Sequence, residues 1–422
     1  MGRSIAVGWV PLGVWIALVA GAAGCAGEGA EADPDAGCRD DAPYQTPVAA
    51  AADETFWVGP YQEHTTQHAV AVGWETVEPA DTRLEIGPDA GYGRVVTGEP
   101  GRMHQVLVDG LEPGTVYHYR ACSGERCSGD LTLATAPPPG HPIRVAVYGD
   151  CQERPEEHAR VVEQIIADGA NLVVVVGDTV GDGRQREQYK TLYYDPARRL
   201  AHGVPRYAAV GNHDRKDTEV VHFIDYHILP EDPDVPQAET SYSFTFGDAF
   251  FLVYDNTLDH YDFFFPLAAG SEPPLWRWLQ AQVASPAARA ARWRFAFAHY
   301  PPHSNCYTAD HEYGMPESAV REYVLPLLAA HGFQAHFSGH MHCYERFDFD
   351  GLLAITSGGG GGTLEPQERC DDGLAEARVQ SCVHHHVLLE LGCERARVWA
   401  RDNQGGLIEQ FVLHPDGHIE TE

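Results

Sequence analysis

The spacing of apolar residues divides the chain into a region of short strands and a longer region in which strands and helices alternate. From about residue 55 to residue 135, apolar and polar positions alternate in short runs, and Gly, Pro and Asp separate one run from the next. In the run AVAVGWET, Val70, Val72 and Trp74 fall on one face. This region is therefore predicted to be all-β, with one face of each strand buried.

The pattern changes after the proline-rich stretch ATAPPPGHP, residues 134–142, which is predicted to be a stiff linker. Leu172–Val176 is a continuous apolar run, which is typical of a strand buried on both faces. RPEEHARVVEQIIADG predicts a helix with Pro155 in its first turn. Further strands are predicted at Val145–Tyr148, Arg206–Val210, Phe250–Tyr254, Phe295–Ala298 and Ala335–Ser338. This alternation indicates an α/β core.

Residues 1–24 are predicted to be a signal peptide of the lipoprotein type. Arg3 precedes an apolar run from Ile5 to Ala20, and no stop-transfer charges follow it. The next residues, Ala-Ala-Gly-Cys, resemble a bacterial lipobox, so Cys25 is expected to carry a lipid; ordinary cleavage nearby is the alternative. Residues 25–52 are predicted to be a flexible tether. The protein is therefore expected to be exported, as a periplasmic or cell-surface lipoprotein or otherwise in secreted form.

Net charge and cysteine content limit which binding partners and which cellular compartment are expected. The formal net charge of −32 argues against binding nucleic acid or an anionic membrane surface, so a lipid at Cys25 would be the only membrane contact. In an oxidising compartment cysteines are first interpreted as disulfides. Cys122 and Cys127 suit a hairpin disulfide, and Cys370 and Cys382 bracket an acidic loop. Removing Cys25 from the ten cysteines leaves nine, so at least one thiol is left over within the chain.

Five of the predicted strands end in residues that can bind a metal ion. The strand ends are YGDCQ (148–152), VGDTVGD (176–182), VGNHD (210–214), FAHYPPH (297–303) and SGHMHCYER (338–346). Each is weak alone, but the carboxyl ends of strands in an open α/β sheet lie together, so these side chains are expected to converge. Carboxylate, amide and imidazole ligands suit Fe, Mn or Zn in a site with open positions for water and substrate. Gly before each ligand lets the backbone turn sharply.

This set of motifs resembles the calcineurin-like metallophosphoesterase superfamily. SGHMHCYER, WVGPYQEHTTQHAVAVGWET (57–76) and PLWRWLQAQV (274–283) are similar to the purple acid phosphatase branch. GLEPGTVYHYR (110–120) resembles the corner of a fibronectin type III sandwich, with Tyr117 as the corner tyrosine. The resemblance implies a fibronectin type III-like sandwich at 53–136, a linker at 137–142 and an α/β catalytic domain, a four-layer α/β/β/α sandwich, at 143–422.

The resemblance also implies roles for individual residues and a cofactor of two metal ions, of which Fe, Zn or Mn are candidates. Asp150 and His342 would bind the first metal, Asp178 would bridge, and Asn212, His299 and His340 would bind the second. His213 would face the transferring phosphoryl group as an acid or charge stabiliser. A further family histidine is matched by His311, with His303 as its rival. Gln152 and His303 are additional candidate metal or substrate contacts, and Glu345 and Asp182 are polar neighbours, Glu345 being expected to orient a histidine.

Two positions depart from the family pattern. Gln152 stands where many members have a ligating His, and Gly181 stands where purple enzymes have the Tyr that binds iron and gives the colour. We therefore predict that the first metal is held more weakly than the second, and that the protein is colourless unless Tyr148 or another Tyr substitutes. Cys151 is expected to be packed, or paired with a cysteine such as Cys306 or Cys343.

The function implied is hydrolysis of a small phosphorylated substrate by metal-activated hydroxide, most simply a phosphomonoester. A phosphodiesterase that acts on nucleotides or lipid head groups is the enzymatic alternative. A non-catalytic surface binding module is the alternative of another class.

Overall fold

The computed structural model describes residues 43–258, 270–306, 319–349, 351–366, 368 and 377–421. The predicted signal peptide, Cys25, His311 and Cys370 lie outside the described residues. No helix among the described residues is long and apolar enough to cross a membrane.

The described strands form three sheets. Their bounds are β1 Val58–Glu63, β2 Val70–Gly87, β3 Arg94–Val108, β4 Val116–Ser123, β5 Arg126–Cys127, β6 Leu131–Ala134, β7 Ile143–Tyr148, β8 Leu172–Val175, β9 Arg206–Ala208, β10 Tyr242–Phe246, β11 Ala249–Val253, β12 Trp293–Phe297, β13 Ala335–Ser338, β14 Tyr344–Phe349, β15 Leu352–Ser357, β16 Val379–Ser381, β17 His385–Leu391, β18 Ala396–Asp402, β19 Leu407–Leu413 and β20 Ile419–Glu420. The first sheet contains β1–β6, the second has the order β20-β19-β18-β17-β7-β8-β9, and the third has the order β10-β11-β12-β13-β15-β14-β16.

Helices connect the strands of the second and third sheets. They are Pro155–Ala167, Arg186–Gln188, Asp195–Ala201, Val221–Tyr226, Pro274–Val283, Pro286–Ala290 and Leu325–Ala330, with π-helical turns at Tyr189–Tyr194 and Val320–Val324 and a 3-10 turn at Asp214–Lys216. Pro155 opens its helix, where its missing N–H costs nothing.

The first sheet makes the N-terminal β domain. Trp74 and Tyr119 are buried in its core, and the strands pair in antiparallel register. The N–H of Glu112 donates to the Tyr117 hydroxyl at 2.9 Å, which is the hydrogen bond expected of a corner tyrosine. Cys122 and Cys127 form the predicted hairpin disulfide.

The second and third sheets face each other across the main core. Strands β7–β9 are parallel, as are β11, β12, β13 and β15. Along β12, Phe295 and Phe297 join the core shared with the second sheet, whereas Ala296 packs in a separate cluster with helix Pro274–Val283. This alternation follows from the two-residue period of a strand. The resulting order of helix, sheet, sheet and helix confirms the predicted four-layer fold.

Candidate metal centre

The predicted ligands come together at the carboxyl ends of parallel strands. Asp150 follows β7, Asp178 follows β8, Asn212 follows β9, His299 follows β12, and His340 and His342 follow β13. Ligand atoms of Asp178, His299 and His340 lie within 4.8 Å of one another. Because parallel strands place their carboxyl ends at one edge, residues up to 190 positions apart in the chain become neighbours.

One half of the site, the Asn212 group, consists of Asn212, His299 and His340. Asn212 Oδ1 lies 2.9 Å from His299 Nε2 and 2.9 Å from His340 Nδ1. His299 Nε2 also lies 3.4 Å from Asp178 Oδ2. Four side chains therefore direct oxygen or nitrogen atoms into one small volume.

The other half, the His342 group, consists of Asp150, Gln152 and His342. His342 Nε2 lies 3.5 Å from Asp150 Oδ1 and 3.1 Å from Gln152 Nε2. Gln152 Nε2 in turn lies 3.3 Å from Asp178 Oδ2. Asp178 Oδ2 is thus contacted from both groups, which is the position a bridging carboxylate requires.

Backbone carbonyls fix how two of the histidines present their rings. His299 Nδ1 lies 2.9 Å from the carbonyl of Val176, and His342 Nδ1 lies 2.6 Å from the carbonyl of Thr363. Each Nδ1 must carry a hydrogen to donate to its carbonyl, so the neutral ring presents an Nε2 lone pair to Asp150 or Asp178. Lone pairs that face carboxylate oxygens repel unless a proton or a cation lies between them.

The pKa shifts express the same demand for positive charge. Burial alone would lower the pKa of His299, but Asp178 and Asp150 outweigh it and raise the pKa to about 9. Burial opposes the charge of His342 as well, and Asp150 raises its pKa to about 9. Burial and the neighbouring His299 hold the pKa of His340 well below its usual range. In the absence of metal, protons on His299 and His342 therefore balance the carboxylates.

Close packing at the site requires glycine. Gly177 has φ +92°, and a Cβ there would lie 2.5 Å from His299 Nδ1. A Cβ on Gly339 would lie 2.4 Å from Asp150 Oδ2, and one on Gly362 would lie 2.5 Å from the ring of His342. The glycine run 358–362 therefore lets the backbone pass directly beside the predicted ligands.

Three of the site residues that are not glycine have left-handed backbone conformations. The φ angles are 61° at Asp150, 50° at Asp178 and 68° at His340. Such conformations cost free energy and persist where the surrounding structure holds them, commonly at functional sites.

His213 lies beside Asp178. Its backbone N–H donates to Asp178 Oδ1 at 2.8 Å, and its Nδ1 lies 2.7 Å from the carbonyl of Gly181. Lys216 Nζ donates to the same carbonyl at 2.8 Å and lies 2.9 Å from His213 Nδ1. The Nδ1 side of the ring is thereby occupied, which leaves Nε2 as the ring atom available to a ligand.

The remaining predicted residues have different surroundings. The His303 ring packs edge-on against Phe347, with 5.1 Å between centroids. Asp182 is hydrogen-bonded to Arg184 and Gln185, which holds the turn after Gly181 and lowers its pKa. Tyr148 does not replace the missing phenolate, because its hydroxyl lies 2.9 Å from His158 Nε2 inside the core.

Glu345 was expected to orient a histidine, but its carboxylate holds other residues. Its carboxylate instead accepts the Ser304 hydroxyl at 2.6 Å and the Asn305 N–H at 2.8 Å. Burial raises its pKa to about 7, against these hydrogen bonds. Glu345 therefore fixes the segment that follows His299.

Several supporting residues were not predicted. Asn256 Oδ1 accepts the N–H groups of His299 and Tyr300 at 3.1 and 3.0 Å. Buried Asp214 accepts the Thr179 hydroxyl at 2.6 Å, and burial together with Asp178 raises its pKa to about 6. Asp214 stands in the quoted motif VGNHD, which was a usable signal; Asn256 has no such signal in the sequence.

The donor set fits metal ions. It combines carboxylate, amide and imidazole donors and contains no thiolate, which suits Fe, Mn or Zn. Gln152 Oε1 is buried and has no hydrogen-bond partner among the described residues, so this oxygen is available to a cation. His299 and His342 are oriented by backbone carbonyls through Nδ1, as is usual for metal ligands.

The fold and the site are similar to those of metallophosphoesterases. Residues 143–344 match the family model described as calcineurin-like phosphoesterase. PhoD has the same fold, with a TM-score of 0.66 and 15% identity over 89% of this chain and 93% of that chain.

Purple acid phosphatases are also similar to this chain. Purple acid phosphatase 23 of Arabidopsis thaliana is 26% identical over 304 residues, which is 62% of this chain and 63% of that protein, so the match spans under two thirds of the relative. Purple acid phosphatase PPD1 from yellow lupin (Lupinus luteus) seeds has a TM-score of 0.72 and 18% identity over 86% of this chain and 74% of that chain. The match over residues 143–344 and these relatives confirm the resemblance to the calcineurin-like metallophosphoesterases, and to their purple acid phosphatase branch, that was found in the sequence.

Proposed function

We propose that the protein is an exported hydrolase of phosphomonoesters that uses two metal ions. The Asn212 group would hold one ion, the His342 group would hold the other, and Asp178 would bridge them. Fe, Zn and Mn are the candidate metals, and a small phosphorylated molecule is the substrate.

The observation that carries the proposal is the orientation of His299 and His342. Each ring directs Nε2 at a carboxylate while Nδ1 is committed to a backbone carbonyl. The neighbouring carboxylates raise the pKa of each ring, so both Nε2 positions favour a positive charge, which a proton supplies without metal and a metal ion would supply when bound. Metal ions would bind both Nε2 atoms and the carboxylate oxygens that face them.

The chain's own residues supply orientation and a proton donor. Bound ions would activate a water molecule and neutralise charge on the phosphoryl oxygens. If Nδ1 of His213 accepts the hydrogen bond from Lys216 Nζ, the ring hydrogen is on Nε2, from which it would be donated to a phosphoryl oxygen or to the departing oxygen. The backbone N–H of His213 donates to Asp178 Oδ1, which keeps the residue beside the carboxylate that would bridge the ions.

Export and anchoring rest on the sequence of residues 1–25, and lipidation at Cys25 remains part of the proposal. The disulfide between Cys122 and Cys127 supports an oxidising compartment. The acidic surface gives no support to nucleic acid as a partner.

The test compares para-nitrophenyl phosphate with bis-para-nitrophenyl phosphate, using metal-loaded wild type and Asp178→Asn. The monoester is expected to be the better substrate, and Asp178→Asn should lose at least about 100-fold in kcat/KM, comparable to the loss of one important electrostatic contact in a transition state. Arg184→Ala is the matched control, because Arg184 is exposed and contacts Asp182 outside the ligand set. Preference for the diester would favour a phosphodiesterase, whereas a metal-loaded protein that hydrolyses neither ester would favour the binding module.

A further inference from the structure

Two buried cysteines meet beside the metal centre. Cys306 and Cys343 are 1% and 0% exposed, and their sulfur atoms lie 3.2 Å apart although the residues are 37 positions apart in the chain. Cys343 directly follows His342, and Cys306 lies in the segment that follows His299. The pair therefore joins two ligand-bearing segments.

Other contacts already hold these segments in register. Glu345 Oε1 accepts the Asn305 N–H at 2.8 Å, and Glu345 Oε2 accepts the Ser304 hydroxyl at 2.6 Å. Gln380 Nε2 donates to Cys306 Sγ at 3.0 Å. With both segments docked, the two sulfur atoms need to move by only about 1 Å to reach the bonded distance of about 2.0 Å.

The chain forms disulfides elsewhere. Cys122 and Cys127 are bonded to each other, and Cys382 and Cys393 each take part in a disulfide. Structural disulfides form and persist in oxidising compartments, and such a compartment would supply the oxidant for this pair of thiols. Cys151, the other buried thiol among the described residues, follows Asp150 and is not part of this pair.

We propose that Cys306 and Cys343 form a disulfide that ties the His299 segment to the His340–His342 segment. During folding, an external disulfide, such as that of a thiol–disulfide oxidoreductase, accepts two electrons and two protons from the two thiols. The S–H bonds break, one S–S bond forms, and the external disulfide becomes two thiols. The bond keeps His299 and His342 at the spacing that the metal ions require; this consequence rests on the proposed function, but the bond itself does not.

Peptide mapping tests the bond without reference to activity. Trypsin releases residues 295–321, with Cys306 as the sole cysteine, and residues 322–346, with Cys343 as the sole cysteine. Protein purified without reductant is unfolded, alkylated and digested, with and without prior reduction. The two peptides should be joined before reduction and separate after it, whereas Cys151 should be alkylated without reduction. Alkylation of Cys306 and Cys343 before reduction would overturn the proposal.

A second measurement separates a disulfide from a metal held by Cys306, Cys343 and Glu345, whose ligand atoms also lie within 4.8 Å of one another. A zinc content that falls by one ion per chain when both cysteines are replaced by Ser, together with thiols that become alkylated after chelation, would overturn the disulfide.

The consequence for the site is tested by the rate at which zinc passes to a chelator. The double variant Cys306→Ser/Cys343→Ser should release zinc severalfold faster than wild type, whereas Cys122→Ser/Cys127→Ser, which removes the disulfide of the β domain, should not. Equal rates in all three proteins would show that the bond does not hold the site. If wild type binds no zinc, the proposed metal site fails while the peptide map still decides the disulfide.

Discussion

Binding of metal ions should displace protons from His299 and His342. In the metal-free protein the pKa of each ring is raised to about 9, because neighbouring carboxylates outweigh the effect of burial. At pH 7.5 both rings are therefore protonated, whereas a ligating Nε2 must be free of its proton. Zinc binding at this pH should release about two protons per chain.

The raised pKa values of His299 and His342 also determine how strongly metal affinity and the stability of the metal-free protein depend on pH. Each ion displaces about one proton, so the apparent affinity for each ion should rise about tenfold between pH 7 and pH 8, and the product of the two binding constants should rise about 100-fold. For the metal-free fold, a pKa raised from 6.5 to about 9 contributes stability that is complete below pH 6.5 and is lost as the pH rises to about 9. The loss is about 3 kcal/mol for each histidine.

Calorimetry of zinc binding at pH 7.5, in buffers with different ionisation enthalpies, measures the number of protons released. His342→Gln is the control, because it removes one of the two protonated rings and should reduce the release to about one. Urea unfolding of the metal-free protein from pH 6.5 to pH 9 measures the loss of stability. Release near zero in wild type, or release that His342→Gln leaves unchanged, would refute the reasoning.

Three further predictions concern individual positions. Iron-loaded protein should show no purple charge-transfer band, because Gly181 offers no phenolate and Tyr148 bonds to a core histidine; a visible band that persists in Tyr148→Phe and shifts on phosphate binding would contradict this. Gln152→His should increase the affinity for the first metal, since imidazole is a stronger donor than an amide oxygen. Equal or weaker affinity in a chelator competition assay would contradict this prediction. Gly177→Ala should cost about 1–3 kcal/mol of stability from the backbone conformation and also weaken metal binding, because its Cβ meets the His299 ring. Gly93→Ala is its control in urea unfolding, because Gly93 has φ +79° and an added Cβ there would have nothing within 4 Å. Equal metal affinity in both variants would show that contact of the added Cβ with the His299 ring does not weaken metal binding.

The parts of the site that follow from the sequence are those carried by local pattern. Apolar runs that end in Gly-Asp or Gly-Asn predict strands with ligands at their carboxyl ends, and the structure places Asp150, Asp178 and Asn212 there. The alternation of apolar residues likewise predicts the two faces of β12. These features depend on the periods of strands and on the rule that parallel strands share an edge.

The parts that do not follow are long-range backbone contacts. The carbonyls that orient His299 and His342 come from positions 123 and 21 residues away, and a carbonyl has no residue type by which a sequence could reveal it. Lys216 gave no functional signal because a lone lysine has no pattern, yet it contacts His213. Glu345 was assigned to a histidine because it is near one in sequence, but along β14 its side chain points to the segment 304–306.

The central claim is that two metal ions lie on either side of Asp178. A crystal structure of zinc-loaded protein, with anomalous scattering measured on both sides of the zinc absorption edge, tests it most directly. The account predicts two peaks, one against His299 and Asn212 and the other against Asp150 and His342, with Asp178 contacting both. A single peak, or peaks away from Asp178, would contradict it.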